Sequence, residues 1–391
     1  MSTTLELRSF LNTKSLLTPP HSLLSRIPPS TRPQLKIVIL GPSLTHSTGN
    51  GASATYRGLV RELTARGHEV LFLERGGEEP DVSRTTSGRE SGRVDRYSDL
   101  KELKARHAAV IREADFVLVG SHICEAIEIG DWVTRTAQGA TAFYDLDTRK
   151  TLAGLIHGKA DYISANLIPR YSMYLSFTGG PMLDQLEEQY GSPMTWPLYP
   201  SVDARLFYPE YSKTDWDLGY LGAHGNDRQP VLERIFLEPA RRWNEGRFVV
   251  AGSQYPRSIR WPKNVKRMPF VPPAKRRAFY NSQRFALNLT SPDAIAVGYS
   301  PSVRMFEAAA CGTPVITEFW PGLDTFFTPD EEILISHSPD ETLIYLEEIS
   351  ELDRRRLGYR ARERVLARHT SRHRAAELET CIVEVLKRSP A

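Results

Sequence analysis

Cysteine is too sparse here to build anything. Cys124, Cys311 and Cys381 are odd in number and far apart. They form no zinc-type spacing and no disulfide framework, which fits a reducing cytoplasm. No apolar run approaches the roughly 18–20 residues of a membrane helix, and no transmembrane segment is expected. Charge of one sign is missing too. Fifty Lys and Arg face 47 Asp and Glu, leaving a net +3. Such a balance declares no electrostatic pull toward nucleic acid or a membrane surface, and no nucleic-acid partner is expected. There is no signal-peptide core, no repeat of fixed short period and no Gly-x-Gly-x-x-Gly fingerprint.

What is present is ordinary soluble-protein composition, 40% hydrophobic and 25% charged, over 391 residues. That length suggests two domains, with three as the alternative. Residues 1–34 are rich in Ser, Thr and Pro and read as an arm. A buried strand is expected over 35–41. A loop containing Gly49, Asn50 and Gly51 follows, then a helix over about 52–66 and a strand over 69–73. Strand, Gly-containing loop, helix, strand is a βαβ unit with its ligand end at the loop. A turn with no ligand is the other reading of those glycines.

Residues 75–97 read as an exposed loop, and 98–113 as a helix. Strands over 115–120 and 140–144 end in Ser121-His122 and in Asp145-Leu146-Asp147. Short strands are expected at 162–165 and 173–177, and a helix at 181–190. Polar residues just past the carboxyl ends of parallel strands are site positions in open α/β sheets. His122, Asp145 and Asp147 are therefore candidates to deprotonate or orient an acceptor hydroxyl. His122 as a satisfied structural residue, and the aspartates as helix caps, stay open.

Pro-rich residues 196–209 mark a linker. The second half repeats βαβ grammar. Strands are expected at 216–222, 247–252, 265–270 and 285–290, with helices at 229–243 and over the basic run Lys275-Arg276-Arg277. Then comes the most informative stretch, 299–318. Ser300 suits an N-cap and Pro301 the first helical position. Val303, Phe306 and Ala310 give one apolar face, and Gly312 a left-handed end before the strand Val315-Ile316-Thr317. Arg304 lies near the helix start, where free N–H groups already favour an anion. Glu307, a turn later, can accept both hydroxyls of a ribose. A surface Arg304–Glu307 ion pair is the plainer alternative. A strand at 333–335 and helices at 339–350, 353–367 and 371–387 complete the chain.

Ser302-x-Arg304-x-Phe306-Glu307-Ala-Ala-Ala-Cys311-Gly312-Thr-Pro-Val-Ile316 resembles the donor-site signature of GT-B glycosyltransferases. In wording it is closest to the CgeB-like (spore maturation protein) group. Pro200-x-Val202-Asp203-x-x-x-Phe207-x-Pro209 is similar to the interdomain crossing of that fold. The resemblance implies an α/β GT-B fold of two Rossmann-like domains facing a cleft. It implies an acceptor domain over 35–197, a donor domain over 198–370, and a last helix, within 371–391, returning to the first domain.

It also implies transfer of a sugar from a nucleotide-diphosphate donor, expected to be a UDP-sugar, to a hydroxyl of an unidentified acceptor. No cofactor or metal is expected, although Asp145-x-Asp147 is similar to the metal motif of a different fold, GT-A. Donor contacts are implied for Gly222, Arg228, Ser253, Tyr299, Ser300, Ser302, Arg304 and Glu307, with Glu307 on the ribose and Arg228 at the diphosphate. Asn50 and Gly51 would face the acceptor. Many relatives carry a second Glu eight residues before the first; here that residue is Tyr299. A sugar-nucleotide epimerase, a non-catalytic nucleotide-sugar binder and a nucleic-acid-modifying glycosyltransferase are the competing readings.

Overall fold

The computed structural model describes residues 33–44, 51–76 and 92–388. Residues 1–32 of the arm, and Asn50, lie outside them. Two parallel sheets carry the fold. The first holds β1 (Lys36–Leu40), β2 (Glu69–Arg75), β3 (Arg93–Tyr97), β4 (Phe116–Gly120), β5 (Ala140–Asp145), β6 (Met173–Ser176) and β7 (Thr195–Pro197). Its order is β3-β2-β1-β4-β5-β6-β7. The second holds β8 (Trp216–Leu221), β9 (Phe248–Ala251), β10 (Val265–Met268), β11 (Gln283–Leu287), β12 (Val315–Thr317) and β13 (Leu334–Ile335), ordered β10-β9-β8-β11-β12-β13. Both orders reverse beside their first strand, which opens a crevice at the carboxyl ends of β1 and β4, and of β8 and β11. The interior strands are β-branched and apolar because helices cover both their faces.

Most expected elements form, and the exceptions have local causes. Residues 93–97 are a strand, not loop. Their sequence, Arg-Val-Asp-Arg-Tyr, is that of a charged edge strand, lying in parallel register with β2. No strand forms at 162–165, where the chain turns while Ile163 is buried. The helix Ala126–Thr136 forms where the sequence assigns no element. Its N-cap residue, Glu125, has φ 57 and makes no capping bond, so the usual start signal is absent. The expected helix over 229–243 widens into a π-turn over Glu233–Leu237. Pro239 follows, and it cannot donate the helical bond that the ladder would need there.

The last helix, Ser371–Arg388, packs back on the first sheet. Leu378, Ile382 and Val385 join one core with Ile37, Ile39 and Phe116. Glu379 on that helix accepts from Arg66 and lies 3.1 Å from His68 Nε2. The chain thus crosses between the sheets twice, and the crossings touch. Val202 N–H donates to His369 O, and Ser371 N–H donates to Val202 O.

Candidate active site

A cavity of about 510 Å³ lies where the carboxyl ends of the two sheets meet. One wall belongs to the first sheet: His122 after β4, Leu146 and Asp147 after β5, Phe177 after β6. The other wall belongs to the second sheet: Gly222 after β8, Ser253 after β9, Phe270 after β10, and the turn 300–304.

The second-sheet wall presents a helix N-terminus and an arginine to the cavity. The helix Val303–Ala310 starts at Ser302, not at the expected Ser300. Ser302 is extended (φ −83, ψ 137), and its side chain accepts from Arg304 N–H at 3.3 Å. Ser300 is diverted, since its hydroxyl accepts from Thr178 Oγ1 at 3.4 Å across the cleft. The helix start points its free N–H groups and positive dipole end at the cavity. Arg304, half-buried in the first turn, makes no ion pair among the described residues. The loops beside it are locked together. Tyr255 O–H donates to Gly222 O at 2.9 Å, and His224 N–H donates to Ser253 O at 2.9 Å. Gly252 has to be glycine, because a Cβ there would sit 1.9 Å from Gly222 O.

Glu307 is buried behind this wall, 1% exposed, and is not part of the cavity lining. Tyr280 O–H donates to its Oε2 at 3.0 Å, and Arg276 Nη1 lies 3.7 Å from Oε1. Burial pushes its pKa up, opposed by Arg276, Tyr280 and Arg304. The partner of Glu307 is therefore Arg276, not the Arg304 of the surface-pair alternative. Arg276 itself lines the cavity. The sequence offered no sign of this. Three basic residues stand in a row, and Arg277 instead binds Glu210 at 2.9 Å and stacks on Tyr208. Which one turns inward depends on where the neighbouring helix lies.

Two further donor residues depart from expectation. Arg228 does not line the cavity; its guanidinium folds back on its own loop, beside Gly225 and 3.9 Å from Asp227. Tyr299 does not line it either, and its ring packs between Gly180 and Gly322.

The first-sheet wall carries the titratable side chains His122 and Asp147. His122 has φ 63, its Nδ1 is 2.9 Å from Ser121 Oγ, and its ring lies 4.6 Å from the Tyr162 ring. Burial lowers its pKa, so it is neutral at pH 7 and able to take a proton. Asp147 caps the helix Thr148–Ile156, accepting from Lys150 N–H at 3.4 Å, and also lines the cavity. Asp145, the other candidate base, does not line the cavity. Its carboxylate is fully buried and accepts from Tyr174 O–H, and from Asp147 N–H at 3.0 Å. Burial raises its pKa, and its structural effect is to fix the Asp147 loop. Gly51, expected on the acceptor side, is the first residue of the helix Gly51–Ala65.

A second recess of about 300 Å³ opens from the first-sheet wall and shares His122 and Asp147 with the main cavity. Lys150, His157, Lys159 and Tyr162 line it. Among the described residues, no group of three or more His, Cys, Asp or Glu is arranged to hold a metal. None of the described helices is long and apolar enough to cross a membrane.

Residues 228–380 match a family model described as glycosyl transferase-like. No curated protein matches the chain in sequence. Several solved structures share its fold. A sucrose-phosphate synthase from Thermosynechococcus elongatus is 16% identical with a TM-score of 0.64, covering 90% of this chain and 100% of that one. Anabaena HepE in complex with UDP and glucose is 13% identical with a TM-score of 0.63, covering 91% and 100%. An alpha-glucosyltransferase in complex with UDP-glucose and DNA containing an abasic site is 12% identical with a TM-score of 0.66, covering 90% and 100%. By fold the chain is a GT-B protein, and within it residues 228–380 are similar to the glycosyl transferase-like family.

Proposed function

We propose that this chain is a glycosyltransferase moving a sugar from a nucleotide-diphosphate donor, a UDP-sugar, to an acceptor hydroxyl. The observation that carries the reading is one cavity with Arg304, without an ion pair among the described residues, at a helix N-terminus on one wall and a neutral His122 on the other. UDP is favoured because similar structures hold UDP or UDP-glucose. The wording of the donor motif sets the chain nearest the CgeB-like group. Residues 35–197 with the last helix form the acceptor domain, and 198–370 the donor domain. Its free cysteines suit the cytoplasm.

In this reading the bond between the anomeric carbon and the diphosphate oxygen breaks, and the electron pair leaves on that oxygen. Arg304, Arg276 and the amides after Ser302 stabilise the charge where it develops. Glu307 Oε1 makes no hydrogen bond among the described residues, and it becomes the ribose acceptor once Arg276, which lies between it and the cavity, moves aside. The acceptor oxygen forms the new bond, and its proton passes to His122. For that role Nδ1–H donates to Ser121 Oγ and Nε2 is the base. Gly222, Ser253 and Ser300 shape the donor pocket, and Arg228 reaches the diphosphate by swinging off Gly225. The acceptor approaches through the recess beside His122 and Asp147.

Thermal unfolding with UDP, with UDP-sugars and with other nucleotides tests the donor site. A ligand at 100 times its Kd adds about 2.7 kcal/mol of stability. UDP is expected to stabilise the wild type and to fail with Glu307→Ala. Arg304→Ala should cost about 2 kcal/mol, roughly thirtyfold in Kd, for a lost charge-assisted bond. No shift with any nucleotide at millimolar concentration overturns the reading. Binding without sugar transfer or donor hydrolysis would leave a nucleotide-sugar-binding protein.

A further inference from the structure

Directly before the cavity turn stands Tyr299, at φ 47. A bulky residue rarely holds this left-handed conformation unless its surroundings impose it. Here the surroundings come from both domains. Tyr299 N–H donates to Pro321 O at 2.8 Å within the second domain. Its carbonyl accepts from Gly179 N–H at 3.0 Å in the first. The ring is wedged between two glycines that are also left-handed, Gly180 at φ 68 and Gly322 at φ 84. A Cβ on Gly180 would come within 2.3 Å of Tyr299 Cδ2, and one on Gly322 within 2.4 Å of Cδ1. The Tyr299 hydroxyl has no hydrogen-bond partner among the described residues. The contact therefore depends on the ring and the backbone.

The next residue repeats the link, since Ser300 accepts from Thr178. The turn 300–304 then lines the cavity. The stretch that faces the anion is thus tied at its origin to the strand-end loop 177–180 of the opposite domain. An acidic side chain at 299 would have to insert between two glycine backbones, so the wedge is not interchangeable with a carboxylate.

We propose that Tyr299 is a positioning residue: it pins the diphosphate-facing turn to the first domain and so holds the cleft in its binding-competent arrangement, without touching the donor. The expected effect on UDP affinity rests on the donor reading given above; the mechanical role does not.

The test uses the full chain and the variants Tyr299→Phe, Tyr299→Ala, Tyr299→Glu and Gly180→Ala. Circular dichroism establishes that each is folded. Amide hydrogen exchange is followed at 177–180 and 298–304, and UDP binding is measured by calorimetry. Tyr299→Phe should match wild type. Tyr299→Ala, Tyr299→Glu and Gly180→Ala should speed exchange in both segments, with protection restored by saturating UDP. If the competent fraction falls to about a tenth, the apparent Kd for UDP rises about tenfold. Gly180→Ala is decisive for affinity, because Gly180 does not line the cavity.

Unchanged exchange at 177–180 in Tyr299→Ala overturns the proposal. So does Tyr299→Glu binding UDP as tightly as wild type, since that would make 299 a donor position after all. If Tyr299→Ala does not fold, the Gly180→Ala and Tyr299→Glu arms decide by the same criteria. If wild type itself does not bind UDP, the donor reading falls, while the exchange arm still decides the role of Tyr299.

Discussion

Two histidines show how burial sets chemistry at single residues. His122 is kept neutral by burial, so a rate that needs it as a base should stay flat through pH 7. The acid limb should lie below 6.5, its ordinary value, because burial lowers the pKa. His122→Ala should lose about 10²–10⁴-fold in turnover, the usual contribution of a positioned base, with UDP affinity unchanged. A pH–rate profile and UDP calorimetry check both parts.

His369 lines neither the main cavity nor the recess beside it. It stacks on Phe306 at 4.8 Å and 12°, and Arg374 donates to its Nδ1 at 2.9 Å. Burial first, then Arg374, His373, Arg364 and Arg368, hold its pKa well below 6.5. As pH falls through 6.5, the unfolded chain binds a proton that folded His369 refuses, so stability is lost. The loss approaches about 1.4 kcal/mol per pH unit. Denaturation at pH 7 and pH 5.5 should show wild type falling more steeply than His369→Phe.

The seam between the first helix and the last shows how one element is held against another. Gly58 lies inside the helix Gly51–Ala65, where alanine would ordinarily add about 1 kcal/mol of helix stability. Here a Cβ would come within 2.2 Å of Ser371 Oγ and 2.8 Å of Ser371 Cβ. Overpacking of this kind costs about 1–3 kcal/mol and should outweigh the propensity gain. Gly58→Ala is expected to lower Tm, and adding Ser371→Gly should recover part of the loss. A double-mutant cycle by chemical denaturation measures the coupling. Equal destabilisation with and without Ser371→Gly would show that the close approach does not matter.

The molecule as a whole is two sheets joined by two adjacent crossings, at Val202 and at 369–371, with the cavity on the facing sheet ends. Such a layout lets the domains close about a narrow hinge when a ligand bridges the walls. UDP should reduce the radius of gyration in small-angle scattering, and Arg304→Ala should blunt that change at equal UDP concentration. No compaction at saturating UDP would argue for a cleft already closed without ligand.

Read alone, the sequence fixes what is local. The apolar β-branched runs specify the strands, and Gly312 at φ 73 ends the helix Val303–Ala310 as its residue type demands. Asp147 caps its helix and lines the cavity, and Arg304 stands at a helix start in any fold that keeps the pattern. What the sequence could not decide is which side chains meet across long chain separations. Arg276 rather than its basic neighbours turns toward Glu307, and Asp145 disappears behind Tyr174 while Asp147 remains in the cavity. Tyr299 lies outside the cavity, in a slot between Gly180 and Gly322. Periodicity and capping act over a few residues. The partners of a buried charge or a wedged ring are set by where two whole sheets come to rest against each other.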